Sequence, residues 1–331
     1  VPQNAGTGGW SWGQLRKINT MLGNIHKCED EAARTQYTAL AKFFRARFYF
    51  EKVKRFGDVP WYDKELGSTD EDLYKARDSR EFVMARMIED IDEAIAGLPD
   101  GVSTYRVNKW AALMLKAQFC LFEGTFRKYH GITFNEGRTA DDYLTLAYQA
   151  AQQVMECPLY GLADDYGAMF RSVDANKKEY ILAIKNDLSL QIYNNSTAYA
   201  TMPTQGCPGL TKKFVDSYLM KDGSRFTDKE GWATMQFKEQ MADRDPRLAA
   251  STVTPGYMRI GGTVVLPPDL ACSSTGYQLA KWVMDETLPQ VNRVDMSYND
   301  IPVYRIAEMY LIYAEAKAEL GTLTQGDLDV S

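Results

Sequence analysis

The sequence predicts a mainly α-helical protein whose first half is regular and whose later part is irregular. Apolar residues recur at helical spacing over about 33–55, 79–97, 108–124 and 140–156. Beyond about residue 160 this periodicity gives way to loops and short strand-like runs, without the strand–helix alternation typical of a parallel sheet. We therefore expect a mainly α fold with an irregular, loop-rich region and a small antiparallel β element.

The helix predicted at 33–55 carries aromatic side chains on more than one face, so neighbouring elements must cover it. Gly57 can adopt the left-handed conformation that ends a helix, and Pro60 prevents the helix from continuing. Arg45 and Arg47 lie on this apolar helix. We expect them to bind carbonyl or carboxylate groups between packed helices.

Helices are also predicted near both ends of the chain. One runs from Gln14 to Asn24, where apolar residues form a single stripe. The other is predicted to start with Asp300 as its cap and Pro302 in its first turn, and to end before Gly321. Both helices are expected to belong to the core.

The β element is predicted from two segments. Residues 179–184 form an apolar, strand-like run, and residues 252–266 resemble short strands joined at Gly261 and Gly262. Turn-forming residues surround both segments. A small antiparallel sheet within a helical protein is the expected result.

A short internal echo suggests how the helices are arranged. Lys116-Ala117-Gln118-Phe119 repeats the pattern of Arg45-Ala46-Arg47-Phe48 after 71 residues. This separation is close to twice the ~34-residue period of tetratricopeptide repeats. The echo favours tetratricopeptide-like helical pairs.

Composition excludes several classes of function. The 331 residues are 45% apolar and 25% charged, with a formal net charge of -6, which is typical of a globular protein and not of one that binds nucleic acid. No apolar run reaches the ~18 residues needed for a membrane span. Five cysteines without a C-x-x-C pair give no zinc or redox motif, and most are expected to be plain buried thiols.

Catalytic motifs are absent from the sequence. The two histidines lie in no metal-binding pattern, and no nucleotide-binding loop or serine-hydrolase elbow is present. Adjacent carboxylates at Asp141-Asp142 and Asp164-Asp165 point in different directions, so they are poor candidates for a glycosidase pair. We predict no catalytic residues, no cofactor and no metal.

Aromatic residues are the positive feature: 20 Tyr, 14 Phe and 6 Trp make up 12% of the chain. The apolar face of a sugar ring stacks on an aromatic ring, while its hydroxyls need amides or charged groups at the edge. Loop aromatics beside amides are therefore the candidate ligand-binding residues: Trp10, Trp12, Tyr193, Asn194, Tyr199 and Gln205. For the two tryptophans, packing back onto the first helix is an equally good alternative.

Six motifs, in order along the chain, resemble those of the SusD/RagB family. They are Arg55-Phe56-Gly57-Asp58-Val59-Pro60, the run from Ile88 to Pro99, Arg106-Val107-Asn108-Lys109-Trp110, Met220-Lys221-Asp222-Gly223, Arg244-Asp245-Pro246-Arg247-Leu248, and the run from Ile301 to Ala316. Members are lipoproteins of Bacteroidetes that bind glycans at the cell surface, and Asp245 and Arg247 resemble a turn-locking pair. The resemblance covers nearly the whole chain.

The resemblance implies a non-catalytic protein on the extracellular face of the outer membrane that passes oligosaccharide to a SusC-like TonB-dependent transporter. It implies an N-terminal lipid anchor whose cysteine is not in this chain. We expect a single SusD-like domain over 1–331, with 14–160 and 300–321 as helical-repeat scaffold and 161–299 as the loop-rich ligand-binding region. Because the family extends beyond both ends, we expect the chain to be incomplete.

Two other functions remain open from the sequence. A glycoside hydrolase would need two facing carboxylates, one of them with a raised pKa. An intracellular helical-repeat scaffold that binds peptides would show regular repeats throughout, which the irregular stretch 186–300 does not.

Overall fold

The computed structural model describes residues 7–101, 103–134 and 136–331. The chain divides into two compact units. The helical unit consists of Val1–Leu162, Lys178–Leu182 and Tyr304–Ser331. The loop-rich unit consists of Ala163–Lys177 and Ala183–Val303.

Helices account for most of the regular structure. They are α1 (Gly13–Asn24), α2 (Glu31–Phe56), α3 (Arg80–Gly97), α4 (Lys109–His130), α5 (Ala140–Met155), α6 (Tyr166–Arg171), α7 (Ser196–Thr201), α8 (Lys212–Ser217), α9 (Phe237–Gln240), α10 (Pro246–Ser251), α11 (Ile306–Glu319) and α12 (Gln325–Val330). The five helices predicted in the first half are confirmed as α1 to α5. No helix in the described part of the chain is both long and apolar enough to cross a membrane.

Local sequence explains where the long helices begin and end. The side chains of Asp30, Ser79 and Asn108 each accept a hydrogen bond from a backbone N–H in the first turn of α2, α3 and α4. Gly57 and Gly131 follow α2 and α4 with φ of 68° and 61°. These are left-handed values that glycine adopts without a steric penalty, so the predicted stop at Gly57 is confirmed.

The sheet has two antiparallel strands, β1 (Tyr180–Ile184) and β2 (Ile301–Arg305). The predicted strand at 179–184 is confirmed. The predicted helix start at Asp300 was wrong, because Pro302 lies in β2 and α11 begins at Ile306. Pairing with a distant strand outweighs the local helix-start signal of this proline.

The segment 252–266 forms less regular structure than expected. Within it an isolated antiparallel bridge joins Met258 to Val265, and Thr252 bridges to Leu279, but neither bridge extends into a strand. The expected short strands there were therefore wrong. The chain bonds mainly through turns in this region.

The core of the helical unit lies between α2, α3, α4, α5 and α11. Large side chains such as Phe43, Tyr49, Phe119 and Tyr143 are fully buried within it. Arg45 is buried with them, and its guanidinium binds both carboxylate oxygens of Asp90 at 2.6 and 2.7 Å. The expectation that Arg45 binds a carboxylate between packed helices is confirmed.

Candidate functional site

The predicted site residues fall into two groups, one in each unit. Trp10 and Trp12 belong to the helical unit, and Tyr193, Asn194, Tyr199 and Gln205 belong to the loop-rich unit.

The two tryptophans precede α1 and pack against the end of α2. Their ring centroids lie 5.1 Å apart with the rings nearly perpendicular. Trp10 contacts Phe56 edge to face at 4.8 Å, and Trp12 lies 5.6 Å from the rings of both Phe48 and Tyr62. These are favourable geometries for aromatic pairs. The tryptophans therefore fold back onto α2 and Tyr62, whereas the alternative posed from the sequence was packing onto the first helix, α1.

Lys52 fixes the glycine-rich segment that leads into the tryptophans. Its ammonium group donates a 2.5 Å hydrogen bond to the carbonyl of Gly9. It also lies over the rings of Trp12 and Phe48, at 5.4 and 4.8 Å from their centroids. Burial, with the nearby charge of Arg55, lowers the pKa of Lys52. Sequence reasoning missed this residue because the carbonyl that it binds, that of Gly9, is 43 positions away.

The same tryptophans also line a cavity of about 560 Å³. Trp10, Trp12 and Tyr62 supply its aromatic surface. Leu15 of α1, and Leu66 and Leu73 from the segment that follows α2, add aliphatic surface. The rings of Trp10 and Trp12 are half-buried: they pack against neighbouring aromatic rings and also line the open cavity. Folding back and ligand stacking, posed as alternatives by the sequence, are compatible in this geometry.

Hydrogen bonds hold the wall opposite α1 in place. The buried amide of Asn19 donates to the carbonyls of Tyr62 and Lys64 at 2.9 and 3.1 Å. The hydroxyl of Tyr62 donates to the carbonyl of Asp72 at 3.0 Å, and burial raises the pKa of Tyr62. The aromatic surface is therefore preorganised, which reduces the entropy that a ligand must offset.

Cations surround the cavity. Its lining includes Arg16, Lys64, Lys75 and Arg77 but no carboxylate side chain. Three of these cations have acidic neighbours outside the lining: Arg16 binds Glu65 at 3.1 Å, Lys64 binds Asp72 at 2.9 Å, and Lys75 binds Asp78 at 2.8 Å. The hydrogen bond from Lys64 lowers the pKa of Asp72, so this carboxylate stays charged.

Arg77 differs from the other three cations. Its guanidinium carbon lies 5.0 Å above the ring of Trp10, and its Nη1 makes a long 3.5 Å hydrogen bond to the carbonyl of Asp58. Among the described residues it forms no ion pair. The position of this cation is thus set by an aromatic ring and a carbonyl, which leaves donors for a ligand.

In the loop-rich unit, Tyr193 and Asn194 serve the fold. Tyr193 packs against a cluster of Met284, Val291 and Tyr298. The side-chain amide of Asn194 donates to the carbonyl of Asn299 at 2.9 Å, and its oxygen accepts from the N–H of Ser196 at the same distance. The structure therefore gives both side chains internal partners that the sequence did not predict.

Tyr199 and Gln205 are more accessible. The ring of Tyr199, on α7, is 51% exposed. Gln205 is half-buried, and its side-chain oxygen accepts a 2.7 Å hydrogen bond from the amide of Asn195. Its own NH₂ group has no hydrogen bond among those of the described residues, so an aromatic face and an amide donor remain available in this segment.

The described residues contain no cluster of three or more His, Cys, Asp or Glu side chains that could hold a metal ion. Asp245 and Arg247 form a pair at 2.5 Å, and Asp245 also caps α10. This confirms the expected turn-locking role of the two residues.

Comparison with sequence families gives two matches. The model described as "SusD family" matches residues 178–329, and the model described as "Starch-binding associating with outer membrane" matches residues 11–121. The two matches do not overlap and together take in most of the chain. The first three family motifs lie within residues 11–121, and the last three lie within residues 178–329.

Curated relatives are distant and longer. A SusD-like protein of Formosa agariphila is 23% identical over 302 residues, which are 88% of this chain and 55% of the relative. A SusD-like protein of Bacteroides ovatus is 28% identical over 169 residues, which are 51% of this chain and 29% of the relative. The chain thus spans about half the length of the first relative and less of the second.

Solved structures share the fold. A SusD-like protein from Bacteroides fragilis superposes with a TM-score of 0.74 at 23% identity, covering 96% of this chain and 64% of that one. A SusD-like carbohydrate-binding protein from the same species gives 0.73 at 21% identity, covering 98% and 62%. A structure described with xylogluco-oligosaccharide gives 0.67 at 20% identity, covering 96% and 61%. Motifs, family matches and fold agree, and this chain belongs to the SusD family.

Proposed function

We propose that this chain is a non-catalytic glycan-binding protein that captures oligosaccharide in the cavity lined by Trp10 and Trp12. The observation that carries the proposal is an open cavity of about 560 Å³ with a preorganised aromatic surface. Its volume is within the range of small-molecule sites. Membership of the SusD family supports the ligand class, and one structural neighbour is described with a bound xylogluco-oligosaccharide.

The aromatic surface suits the apolar face of a sugar. Trp10 and Tyr62 both contact Trp12, and all three rings line the cavity, so more than one ring can contact the same oligosaccharide. The C–H face of a pyranose would lie on these rings, and its hydroxyl groups would accept hydrogen bonds from the surrounding cations. These contacts bind the oligosaccharide intact, without cleavage of a glycosidic bond.

The charge of the lining makes the proposal more specific. Four cations and no carboxylate line the cavity, and Arg77 forms no ion pair within the described residues. A guanidinium matches the geometry of a carboxylate or sulfate group in two parallel hydrogen bonds. We therefore propose that acidic oligosaccharides bind more tightly than neutral ones.

The loop-rich unit offers a second contact region. We propose that Tyr199 and Gln205 contact ligand directly, while Tyr193 and Asn194 hold the segment that carries them. The support is the exposed ring of Tyr199 and the internal hydrogen bonds of Asn194. Tyr199→Ala should then weaken the binding of any polysaccharide that retards the unmodified chain in affinity gels, without lowering the stability of the protein.

We further propose that the bound oligosaccharide passes to a SusC-like TonB-dependent transporter at the extracellular face of the outer membrane. An N-terminal lipid anchor would hold the full-length protein there. The support is family membership and the outer-membrane association in the family description. Purification of the tagged full-length protein from native membranes tests this step. We expect a TonB-dependent transporter, encoded by an adjacent gene, to co-purify with it, and recovery of the protein alone would contradict the proposal.

Affinity electrophoresis tests the binding site. Gels containing polygalacturonate as the acidic ligand and xyloglucan as the neutral ligand are run with the unmodified chain, Trp10→Ala and Arg77→Gln. We expect Trp10→Ala to lose retardation in any gel that retards the parent, and Arg77→Gln to lose about 10- to 100-fold in affinity for polygalacturonate only, the value of one charge-assisted hydrogen bond.

Arg86→Gln is the matched control, because Arg86 is an exposed arginine on α3 that pairs with Glu89 and does not line the cavity. It should migrate as the parent does. Unchanged affinity in both Trp10→Ala and Arg77→Gln would remove the site. New reducing ends after incubation with either polysaccharide would contradict the absence of catalysis and favour a glycosidase.

A further inference from the structure

Two of the five cysteines lie side by side in the loop-rich unit, although 65 positions separate them. The Sγ of Cys207 contacts the carbonyl oxygen of Ala271 at 3.0 Å. The carbonyl of Cys207 accepts a 2.9 Å hydrogen bond from the N–H of Ser274. Because Cys272 is bonded directly to Ala271 and lies two residues before Ser274, these contacts on both sides bring it next to Cys207.

The segments that carry the two cysteines are held together over several residues. Leu210 N–H donates to the carbonyl of Tyr277 at 3.0 Å, and Gly209 forms an antiparallel bridge with Gln278. Gly209 lies so close to the other segment that an added Cβ would overlap the hydroxyls of Ser273 and Thr275. The approach of the cysteines is therefore part of a built contact between two chain segments.

The backbone at Cys207 has an unusual conformation. Its φ is +49°, a left-handed value that few residues other than glycine adopt. The preceding Gly206, with φ of +81°, and the following Pro208 fix the chain on either side. Such a conformation persists only where surrounding structure imposes it, and here it directs the thiol toward the 271–274 segment.

We propose that Cys207 and Cys272 are a disulfide-forming pair that becomes oxidised when the protein meets a protein or small-molecule disulfide. The two sulfurs are not bonded to each other in the structure. The cross-link would join the segment that follows Gln205 to the segment that precedes Tyr277. The inference does not depend on which ligand the protein binds.

The exposure of the two thiols sets the order of the steps. Cys207 is half-buried and can reach an external disulfide, whereas Cys272 is only 2% exposed. The Cys207 thiolate would attack one sulfur of the external disulfide and release the other as a thiolate. Cys272 would then give its proton to the thiolate released in the first step, attack the Cys207 sulfur and release the second thiolate. Two cysteine thiols are oxidised and one external disulfide is reduced to two thiols.

Asp269 accepts a hydrogen bond from the Cys272 thiol and so helps to keep the proton on this sulfur. The Cys272 Sγ lies 3.4 Å from Oδ2 of this carboxylate. Burial, followed by Asp269, raises the pKa of the Cys272 thiol to about 11. Cys272 therefore stays protonated in the reduced protein and acts as the resolving thiol, while Cys207 reacts first.

The cross-link would constrain the unfolded chain. It would close a loop that contains α8, α9 and α10, and long loops are those whose closure restricts the denatured ensemble most. The oxidised protein should unfold at a higher temperature than the reduced protein. Because Cys207 lies two residues after Gln205, the cross-link would also restrict the motion of the segment that carries Gln205.

Peptide mapping tests the pair. The purified chain is treated with oxidised glutathione or with a thiol reductant, free thiols are alkylated, and non-reduced digests are analysed by mass spectrometry. After oxidation we expect one cross-linked peptide containing Cys207 and Cys272, and a melting temperature several degrees above that of the reduced sample. Cys207→Ser and Cys272→Ser should each lose both the cross-link and the shift.

Cys28→Ser serves as the control, because Cys28 is a half-buried thiol in the helical unit. It should keep the cross-linked peptide and the temperature shift. Full alkylation of both Cys207 and Cys272 after oxidation would overturn the proposal, as would a cross-link of either one to another cysteine. If Cys272→Ser fails to fold, the alkylation state of the unmodified chain decides the question.

Discussion

The buried arginines of the two units have different partners. In the helical unit they pair with carboxylates: Arg80 and Arg127 with Glu123, and Arg45 with Asp90. In the loop-rich unit, the buried Arg244 binds the main chain. The guanidinium of Arg244 donates to the carbonyls of Gln240, Val215 and Tyr218 at 2.7–2.8 Å, without an ion pair among the described residues.

The difference follows from how each unit satisfies its backbone. A helix bonds nearly all of its own N–H and C=O groups, so an arginine buried between long helices finds few free carbonyls and pairs with a carboxylate instead. An irregular chain leaves buried N–H and C=O groups without partners, and polar side chains provide them. Asp300 shows the same role with the opposite charge, since its carboxylate accepts from the N–H groups of Ala175 and Asn186, both at 2.9 Å.

The largest effect is expected at Glu123, the most buried carboxylate of the helical unit. Glu123→Ala removes the partner that Arg80 and Arg127 share, and leaves two buried cations short of a counter-charge. Removing one member of a buried ion pair costs about 3–5 kcal/mol. Denaturant unfolding followed by circular dichroism should show a loss of this size.

Glu89→Ala is the control for this substitution. Glu89 also pairs with an arginine, Arg86, but both side chains are exposed. An exposed pair contributes about 0–1 kcal/mol. If the two variants lost equal stability, burial would not be what distinguishes ion pairs in the helical unit.

A smaller loss is expected at Arg244 in the loop-rich unit. Arg244→Met keeps most of the side-chain volume but removes the donors that three carbonyls use. Charged hydrogen bonds contribute about 1.5–3 kcal/mol each, and we expect about 2–3 kcal/mol in all, because the carbonyls can bind water once the loops relax. Hydrogen exchange should quicken in peptides that cover α8 and α9.

Arg247→Met tests whether this loss depends on main-chain partners. Arg247 lies three residues away, is largely exposed and pairs with Asp245. Its replacement should change the free energy of unfolding by less than about 1 kcal/mol. A loss as large as that of Arg244→Met would contradict the contrast between the units.

The helical unit was predictable from sequence because its signals are local. Apolar periodicity and capping residues such as Asp30 and Ser79 act within a few positions of one another, and they predicted the bounds of α1, α2, α3 and α5 to within about two residues. The predicted end of α4 at about 124 was too early, because this helix continues to His130. The start of α11 was misjudged because Pro302 suits both a first helical turn and a strand. Pairing with β1, more than a hundred positions away, decided between the two.

The candidate site was predictable only in part, for the same reason. Aromatic residues in loops could be chosen from the sequence because their rings can stack on a sugar. The hydrogen bond from the Asn194 amide to the carbonyl of Asn299 could not be foreseen, because the two residues are more than a hundred positions apart. The charge of the cavity lining was also missed. Lys75 and Arg77 carry no local signal of a site in the sequence, and only the fold brings them into the same cavity lining as Trp10. The nearness of Cys207 to Cys272 likewise depends on long-range contacts.

The smallest effect is expected at α12, which is the exception within the helical unit because a single carboxylate holds it. Asp327 accepts hydrogen bonds from Lys317 Nζ at 2.6 Å and from the hydroxyls of Tyr313 and Thr324, both at 2.7 Å. The hydrogen bond from Lys317, followed by those from Thr324 and Tyr313, holds the pKa of Asp327 well below its usual value. A carboxylate of this kind stabilises the fold fully above its unfolded pKa, about 3.9, and loses that contribution as the pH falls further.

We therefore expect α12 to stay docked from neutral pH down to about pH 4 and to loosen progressively below it. NMR signals of the Leu328 amide and side chain, followed through an acid titration, report this local change. Asp327→Asn removes the titrating group, so α12 should be looser at neutral pH and show little further change on acidification. If the parent and Asp327→Asn loosened over the same acid range, the single carboxylate would not be what holds α12, and this end of the helical unit would be stabilised as its long helices are.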